Sequence, residues 1–306
     1  MGSVIIELFA LIGTLCREML VSFVQTFLPP SRKDINGEIV FVTGAGSGLG
    51  RLMAIKFAKL GATLVCVDIN QNANDETVQE IKSQGFKAHG YICDCSSRED
   101  IYRVAELVKK DVGDVTMLVN NAGIVSGKKF LETEDWKIQK TMEINTMAHF
   151  WTTKAFLPSM VEKNHGHVVS IASSAGFFGV NGLCDYCSSK YGAVGFNESL
   201  NMELGVLKKD GVHTTVICPF YINTGMFDGV KTRFPLLMPI LEPEWATDQM
   251  IDAVLRNKTE LLLPKVLKLH LVIKSVLPTT SYLSLSRFFG VSSSMDEFKG
   301  REKKIN

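Results

Sequence analysis

Within "DYCSSKYGAVGF", residues 185–196, Tyr186 and Lys190 stand four positions apart, a spacing that places two side chains on one face of a helix. A free phenol titrates near pH ~10, and a neighbouring ammonium favours the phenolate, so this pair could carry a proton near neutral pH. Such pairs also arise by chance on surface helices, and other stretches must decide. In "TGAGSGLG", residues 43–50, Gly44, Gly46, Gly48 and Gly50 permit a tight turn. They also let a pyrophosphate approach the amides at a helix N-terminus. Asp68, about 20 residues further on at the end of an apolar run, is placed to accept hydrogen bonds from a ribose diol. Its charge repels a 2′-phosphate, so NAD is expected rather than NADP. Asp94 follows the next apolar run, where it is either an acceptor for an adenine amine or an ordinary loop carboxylate.

A metal centre is not expected. Cys93 with Cys95 and Cys184 with Cys187 form two close pairs, and His165 and His167 lie nearby in sequence. Cys-x-Cys fits the usual ligand spacing poorly, and the second pair flanks Tyr186. Seven cysteines in a chain of 306 residues point to reduced thiols rather than a disulfide framework. A net charge of +1 with mixed signs argues against a nucleic-acid face.

Apolar runs alternate regularly with amphipathic stretches. Strands are expected in "EIVFVTGAG", "ATLVCVDIN", "KAHGYICDC", "TMLVNNAG", "GHVVSIASSAG" and "HTTVICPF", with helices between them. This is an α/β pattern: a Rossmann-type, doubly wound parallel sheet over residues 36–262, reached through a 31–35 linker. Residues 225–244 are rich in Phe, Leu, Met and Pro and read as an apolar lid. Residues 263–306 form an apolar and basic C-terminal segment whose first part is suited to anionic lipid.

The N-terminus, residues 1–30, reads as a membrane-anchor helix. From Val4 to Leu28 the chain is apolar except for Glu7, Arg17, Glu18, Gln25 and a few hydroxyls, and it is long enough to span a bilayer. Glu7, Thr14, Glu18 and Gln25 fall on one stripe, so a helix lying in the interface is equally open. A cleaved signal peptide and a buried soluble helix fit less well. Arg32 and Lys33 follow the run and no cation precedes it, which places the rest of the chain on the cytosolic side. Near the C-terminus, Lys303 and Lys304 resemble a dilysine retrieval signal, so an endoplasmic reticulum membrane location is expected, with lipid droplets as a second site.

Several motifs together resemble the short-chain dehydrogenase/reductase family. Thr43 to Gly50 is similar to its glycine loop, Asn120 to Gly123 to its Asn-Asn-Ala-Gly stretch, and Tyr186 with Lys190 to its Tyr-x-x-x-Lys pair. More narrowly, "CPFYINTGMFDG", "GVNGLCDYCSSK", "NAGIVSGKKFL" and "LLMPILEP" resemble the membrane-bound retinol dehydrogenase branch over nearly the whole chain. The resemblance implies that Ser173, in "IASSAG", is a catalytic serine and that Asn145, in "EINTMAHF", is the helix asparagine that positions a water behind Lys190. It also implies cofactor contacts from Thr43, Ser47, Leu49, Asn121, Tyr186, Lys190 and Thr224 beside the four glycines. The family usually has Pro-Gly where this chain has Pro219-Phe220. NAD-dependent oxidation of all-trans-retinol by a homodimer is the activity implied. A 17β-type hydroxysteroid dehydrogenase and a lipid-surface scaffold that binds NAD with little turnover are the alternatives.

Overall fold

The computed structural model describes residues 2–300 and contains two compact units, Met1–Lys33 and Asp34–Asn306. The first unit holds α1 (Gly2–Phe27), whose apolar side chains, among them Ile6, Phe9, Met19 and Phe23, are exposed. Its middle carries the charged pair Arg17 and Glu18, 2.6 Å apart. No helix among the described residues is long and apolar enough to cross a membrane. The spanning form of the expected anchor is therefore not supported. Lys303 and Lys304 lie outside the described residues.

The second unit is built on seven parallel strands: β1 (Ile39–Thr43), β2 (Thr63–Asp68), β3 (Ala88–Ile92), β4 (Met117–Asn120), β5 (Gly166–Ile171), β6 (Val212–Pro219) and β7 (Glu260–Leu263). Their order is β3-β2-β1-β4-β5-β6-β7. The central strands are buried on both faces, which is why they read as continuous apolar runs; β3, at the edge, alternates instead. The connections carry α2 (Gly48–Lys59), α3 (Gln71–Ser83), α4 (Arg98–Asp111), α5 (Asp135–Met142), α6 (Ala148–Lys163), α7 (Cys184–Val206) and α8 (Pro243–Leu255). On one face Val40, Val42, Leu64 and Ile217 pack with Met53, Phe57 and Met250. On the other, Phe41, Val65, Leu118 and Val168 pack with Ile101, Val104, Phe156 and Met160. Strand order reverses between β1 and β4, so a crevice opens at the strands' carboxyl ends, where such sheets take their ligands.

All six expected strands are present. The seventh, β7, is a four-residue strand, Glu260 and three leucines, too short for periodicity to separate from a helix. It crosses residue 262, and α9 (Val266–Val276) and α10 (Thr279–Phe288) beyond it belong to the same compact unit.

Candidate active site

The glycine loop joins β1 to α2, and its backbone reaches positive φ at Gly44 (67°) and Gly48 (55°), a region where side chains are strained. Gly50 is required for a different reason: a Cβ there would drive into the Gly44 carbonyl oxygen and the Asn121 side-chain amide. Asp68, at the end of β2, accepts from the backbone N–H of Gly46 and of Asn70, each at 2.9 Å. A carboxylate has about four acceptor positions, so two backbone donors leave capacity for a diol. Ser47, Gly48, Leu49, Asp68 and Asn121 all line a cavity of about 590 Å³.

Thr43 does not line that cavity. Its buried hydroxyl accepts from the N–H of Asn121 at 2.9 Å and of Ala122 at 3.0 Å. The Asn121 amide in turn donates to the Thr43 carbonyl at 2.9 Å. These bonds pin the end of β4 to the loop, so Thr43 positions Asn121. Asp94 lines the cavity, but both of its oxygens have partners. Burial alone would raise its carboxyl, yet hydrogen bonds from Ser96 and the Lys140 ammonium outweigh that and hold it below the usual carboxylate range.

The helical spacing of Tyr186 and Lys190 is realised at the start of α7, where both side chains are buried. The Lys190 ammonium lies over the phenol face, 5.6 Å from the ring centroid, and donates to the Ile171 carbonyl at 2.9 Å. Ser173 follows β5; its hydroxyl accepts from Ala175 N–H at 3.1 Å and also bonds Tyr186. Asn145 sits in a π-helical turn, Glu143–Met147, between α5 and α6. Its amide accepts from Ile124 N–H at 2.8 Å and donates to the Ile124 carbonyl at 2.9 Å and to Ser189 Oγ at 3.0 Å. Asn145 and Lys190 thereby flank Gly123 at the end of the Asn-Asn-Ala-Gly stretch. Ser173, Tyr186, Lys190 and Thr224 line the cavity that the glycine loop lines.

One expectation about this pair needs correcting. Burial pushes the Tyr186 phenol well above its usual range, with the Ser173 hydrogen bond pulling it part of the way back. Burial also pushes the Lys190 ammonium down to about 8. On the chain's own groups, desolvation outweighs the acidifying effect that spacing alone suggests for the lysine. A stability consequence follows in protein freed of nucleotide. Lys190 binds its proton less tightly folded than unfolded, so below pH 8 its charge destabilises the fold, and that cost is relieved as pH rises from 8 toward 10.5. Lys190→Met is expected to be more stable than the parent at pH 7, by up to about 3 kcal/mol at ~1.4 kcal/mol per unit. Urea titrations of both proteins from pH 7 to 10 test this: the gap should close with rising pH, and a constant gap refutes it.

The apolar end of the cavity is walled by more than the lid. Residues 225–241 run without regular structure, and Met226, Phe227, Phe234, Leu237 and Met238 face the cavity. Phe227 stands edge-on to Tyr186, with ring centroids 5.5 Å apart. Phe220, in the place of the family's glycine, lines the same space and packs on Tyr221 at 4.6 Å. Sequence reasoning missed the opposite wall, where Leu267, His270 and Ile273 of α9 and Tyr282 and Leu285 of α10 line the cavity. The i, i+3 spacing of 267, 270 and 273 was the available signal. Lys274 ties α9 down by donating to the Phe177 carbonyl and, at 2.7 Å, to the Tyr191 hydroxyl.

Comparison with known proteins adds four findings. A family model described as short chain dehydrogenase matches residues 38–233. The chain is 48% identical to epidermal retinol dehydrogenase 2 of Homo sapiens over 300 residues, 98% of this chain and 97% of that one. It is 44% identical to 17-beta-hydroxysteroid dehydrogenase 13 of Homo sapiens over 285 residues, 93% of this chain and 94% of that one. Among solved structures, a short chain dehydrogenase/reductase from Burkholderia phymatum in complex with NAD superposes with a TM-score of 0.71 at 25% identity. That match covers 79% of this chain and 96% of the other.

Proposed function

The chain belongs to the short chain dehydrogenase family and is an oxidoreductase acting on alcohols; within that family, we propose that it is an NAD-dependent retinol dehydrogenase forming retinaldehyde. One observation carries the reading: Tyr186 stands in a single cavity that is glycine-lined with Asp68 at one end and apolar, with Phe234, Leu237 and Leu285, at the other. The nucleotide end fits NAD because the open loop at Gly44 and Gly48 meets a carboxylate whose remaining acceptor capacity suits a ribose diol.

When bound, NAD supplies the acceptor for the hydride leaving the alcohol carbon. Everything else falls to the chain. Ser173 Oγ and Tyr186 Oη hold the alcohol oxygen, and Tyr186, entering the step as the phenolate, takes the alcohol proton. Lys190 stabilises that phenolate by its charge and links it to solvent through a water that Asn145 would position, while the bonds of Asn145 to Ile124 and Ser189 fix it beside Lys190. The lid, α9 and α10 supply the apolar walls of the substrate end.

Because Asp68 is read as the ribose ligand, Asp68→Ala is expected to shift the ratio of kcat/KM for NAD against NADP by roughly 1–3 kcal/mol toward NADP, the scale of a charge-assisted hydrogen bond. Equal ratios in parent and variant refute the assignment. A hydroxysteroid reading has its own support: His270, half-buried in the apolar end against Phe178 at 4.8 Å, offers a hydrogen bond that a second polar group on a substrate would use. Turnover of retinol against a steroid panel with the full chain in microsomes decides between them. Ser173, Tyr186 and Lys190, all buried and all lining one cavity, disfavour a scaffold without turnover.

The same reading places α1 in the plane of a membrane interface, since its apolar residues are exposed while Arg17 and Glu18 interrupt it. It places the protein at the endoplasmic reticulum with its catalytic domain cytosolic, or on lipid droplets, as a homodimer.

A further inference from the structure

Leu237 of the lid and Leu269 of α9 both line the cavity, yet they are 45% and 60% exposed, so the cavity reaches the surface between these two elements. Around that opening the surface is unusually apolar. Leu236 at the lid tip is fully exposed, Val272 and Val276 extend the stripe begun by Leu269 along α9, and Leu283 and Phe288 continue it on α10. The lid tip and α10 are contiguous: Leu236, Leu237 and Phe288 line one shallow groove, and Phe234 packs on Phe288 with ring centroids 5.5 Å apart. A soluble protein seldom leaves so many large apolar side chains together unless something covers them.

Charge identifies what covers them. No Asp or Glu occurs from residue 229 to 241 or from 261 to 295, whereas six cations do: Lys231, Arg233, Lys265, Lys268, Lys274 and Arg287. Lys274 is spent internally and Lys231 pairs with Glu297, but Lys265 and Arg287 are exposed, and Lys268 reaches Glu260 only at 3.7 Å. An apolar face whose own segments carry these cations and no acid matches a bilayer carrying anionic headgroups.

We propose that the lid tip and the outer faces of α9 and α10 form a docking surface for an anionic lipid bilayer, which seals the cavity mouth against the membrane. This rests on reading the cavity as a lipophilic-alcohol site. Docked in this way, the opening between Leu237 and Leu269 faces acyl chains, and an apolar alcohol passes from lipid to Tyr186 without entering water. The surface is distinct from α1 and acts on substrate entry rather than on attachment.

The test uses the full chain and vesicles whose phosphatidylserine and phosphatidylcholine carry brominated acyl chains. Val272→Trp puts a reporter on the proposed face, and Lys110→Trp puts one on α4 as a control, with the parent's own tryptophan signal subtracted. Emission from Val272→Trp should fall at least twofold with phosphatidylserine vesicles and less with phosphatidylcholine alone, while Lys110→Trp stays unchanged. Quenching that is absent, or equal in both lipids, overturns the proposal. Since this readout needs no turnover, its failure is separate from failure of the alcohol reading. In a second arm, Leu236→Glu with Val276→Glu should lower kcat/KM for vesicle-borne retinol at least tenfold while retinol delivered from cyclodextrin stays within twofold. Equal rates in both deliveries, or conversion of a dimer to a monomer by these substitutions, assign the face elsewhere and overturn the proposal.

Discussion

Tyr186→Phe is expected to lower kcat by about a thousandfold, the middle of the range for losing a positioned proton carrier. The phenyl ring keeps the edge contact with Phe227 and the place of the ring under Lys190, so the cavity keeps its shape. What disappears is the hydroxyl proposed to take the alcohol proton. NAD affinity should stay within a few fold of the parent, because the glycine loop and Asp68 are untouched. Fold stability should change by only about 1 kcal/mol, the net worth of one hydrogen bond. Titration calorimetry for NAD, a thermal melt and single-turnover kinetics separate these effects. A variant retaining a tenth of the parent's rate would remove Tyr186 from the reaction, whatever its burial.

The second large effect is structural. Gly50→Ala adds one methyl group where the loop carbonyl of Gly44 and the amide of Asn121 already occupy the space. The obstructing atom is backbone, held in turn by Asn121 bonds to Thr43, so it cannot yield as the tip of a flexible side chain would. Overpacking typically costs 1–3 kcal/mol, and a backbone collision belongs at or beyond the top of that range, about 3 kcal/mol or more. At 2–4 °C per kcal/mol for a chain of this class, the melting midpoint should fall by roughly 6–12 °C. NAD affinity should fall with it, because the displaced loop is the one facing the cavity. Differential scanning calorimetry with and without NAD checks both, and an unshifted midpoint would show that α2 slides to make room. Gly46→Ala is the informative contrast: its nearest neighbours, Asp68 Oδ2 and the Ala73 side chain, lie at 3.0–3.1 Å and include movable side-chain atoms.

Much of this site was legible in the residues themselves. The glycine loop, Asp68 and the Tyr186–Lys190 pair rest on local geometry, namely a strand-to-helix turn, a strand end and one helix face, which nearby sequence dictates. What escaped reading depends on burial and on distant partners. Thr43 looks like a loop hydroxyl until β4 is laid beside β1 and its oxygen meets two backbone donors. Asp94 looks available until Lys140, 46 residues away, reaches it. Lys190 stands over the Tyr186 ring as the spacing suggests, but the depth at which α7 is buried governs how both titrate and cannot be counted from spacing. The C-terminal segment carried the right apolar and basic character, yet only the packing of α9 against β7 and α10 reveals that one face closes the cavity while the other remains exposed.

The π-helical turn at Glu143–Met147 has a consequence for how this chain can vary in length. A π turn holds one more residue than an α turn, so α5 and α6 are offset by about 100° from the continuous α-helix that a shorter chain would form. Deleting any single residue between 143 and 147 would make the helix more regular and locally better bonded. It would also rotate everything on one side of the cut. Either Asn145 would swing off Ile124 and Ser189, or Thr152 would lose its 2.7 Å bond to Asn120 at the end of β4. The irregular turn is thus a fixed spacer between the proton-handling end of the site and the sheet, and insertions and deletions are tolerated only in the loops around it.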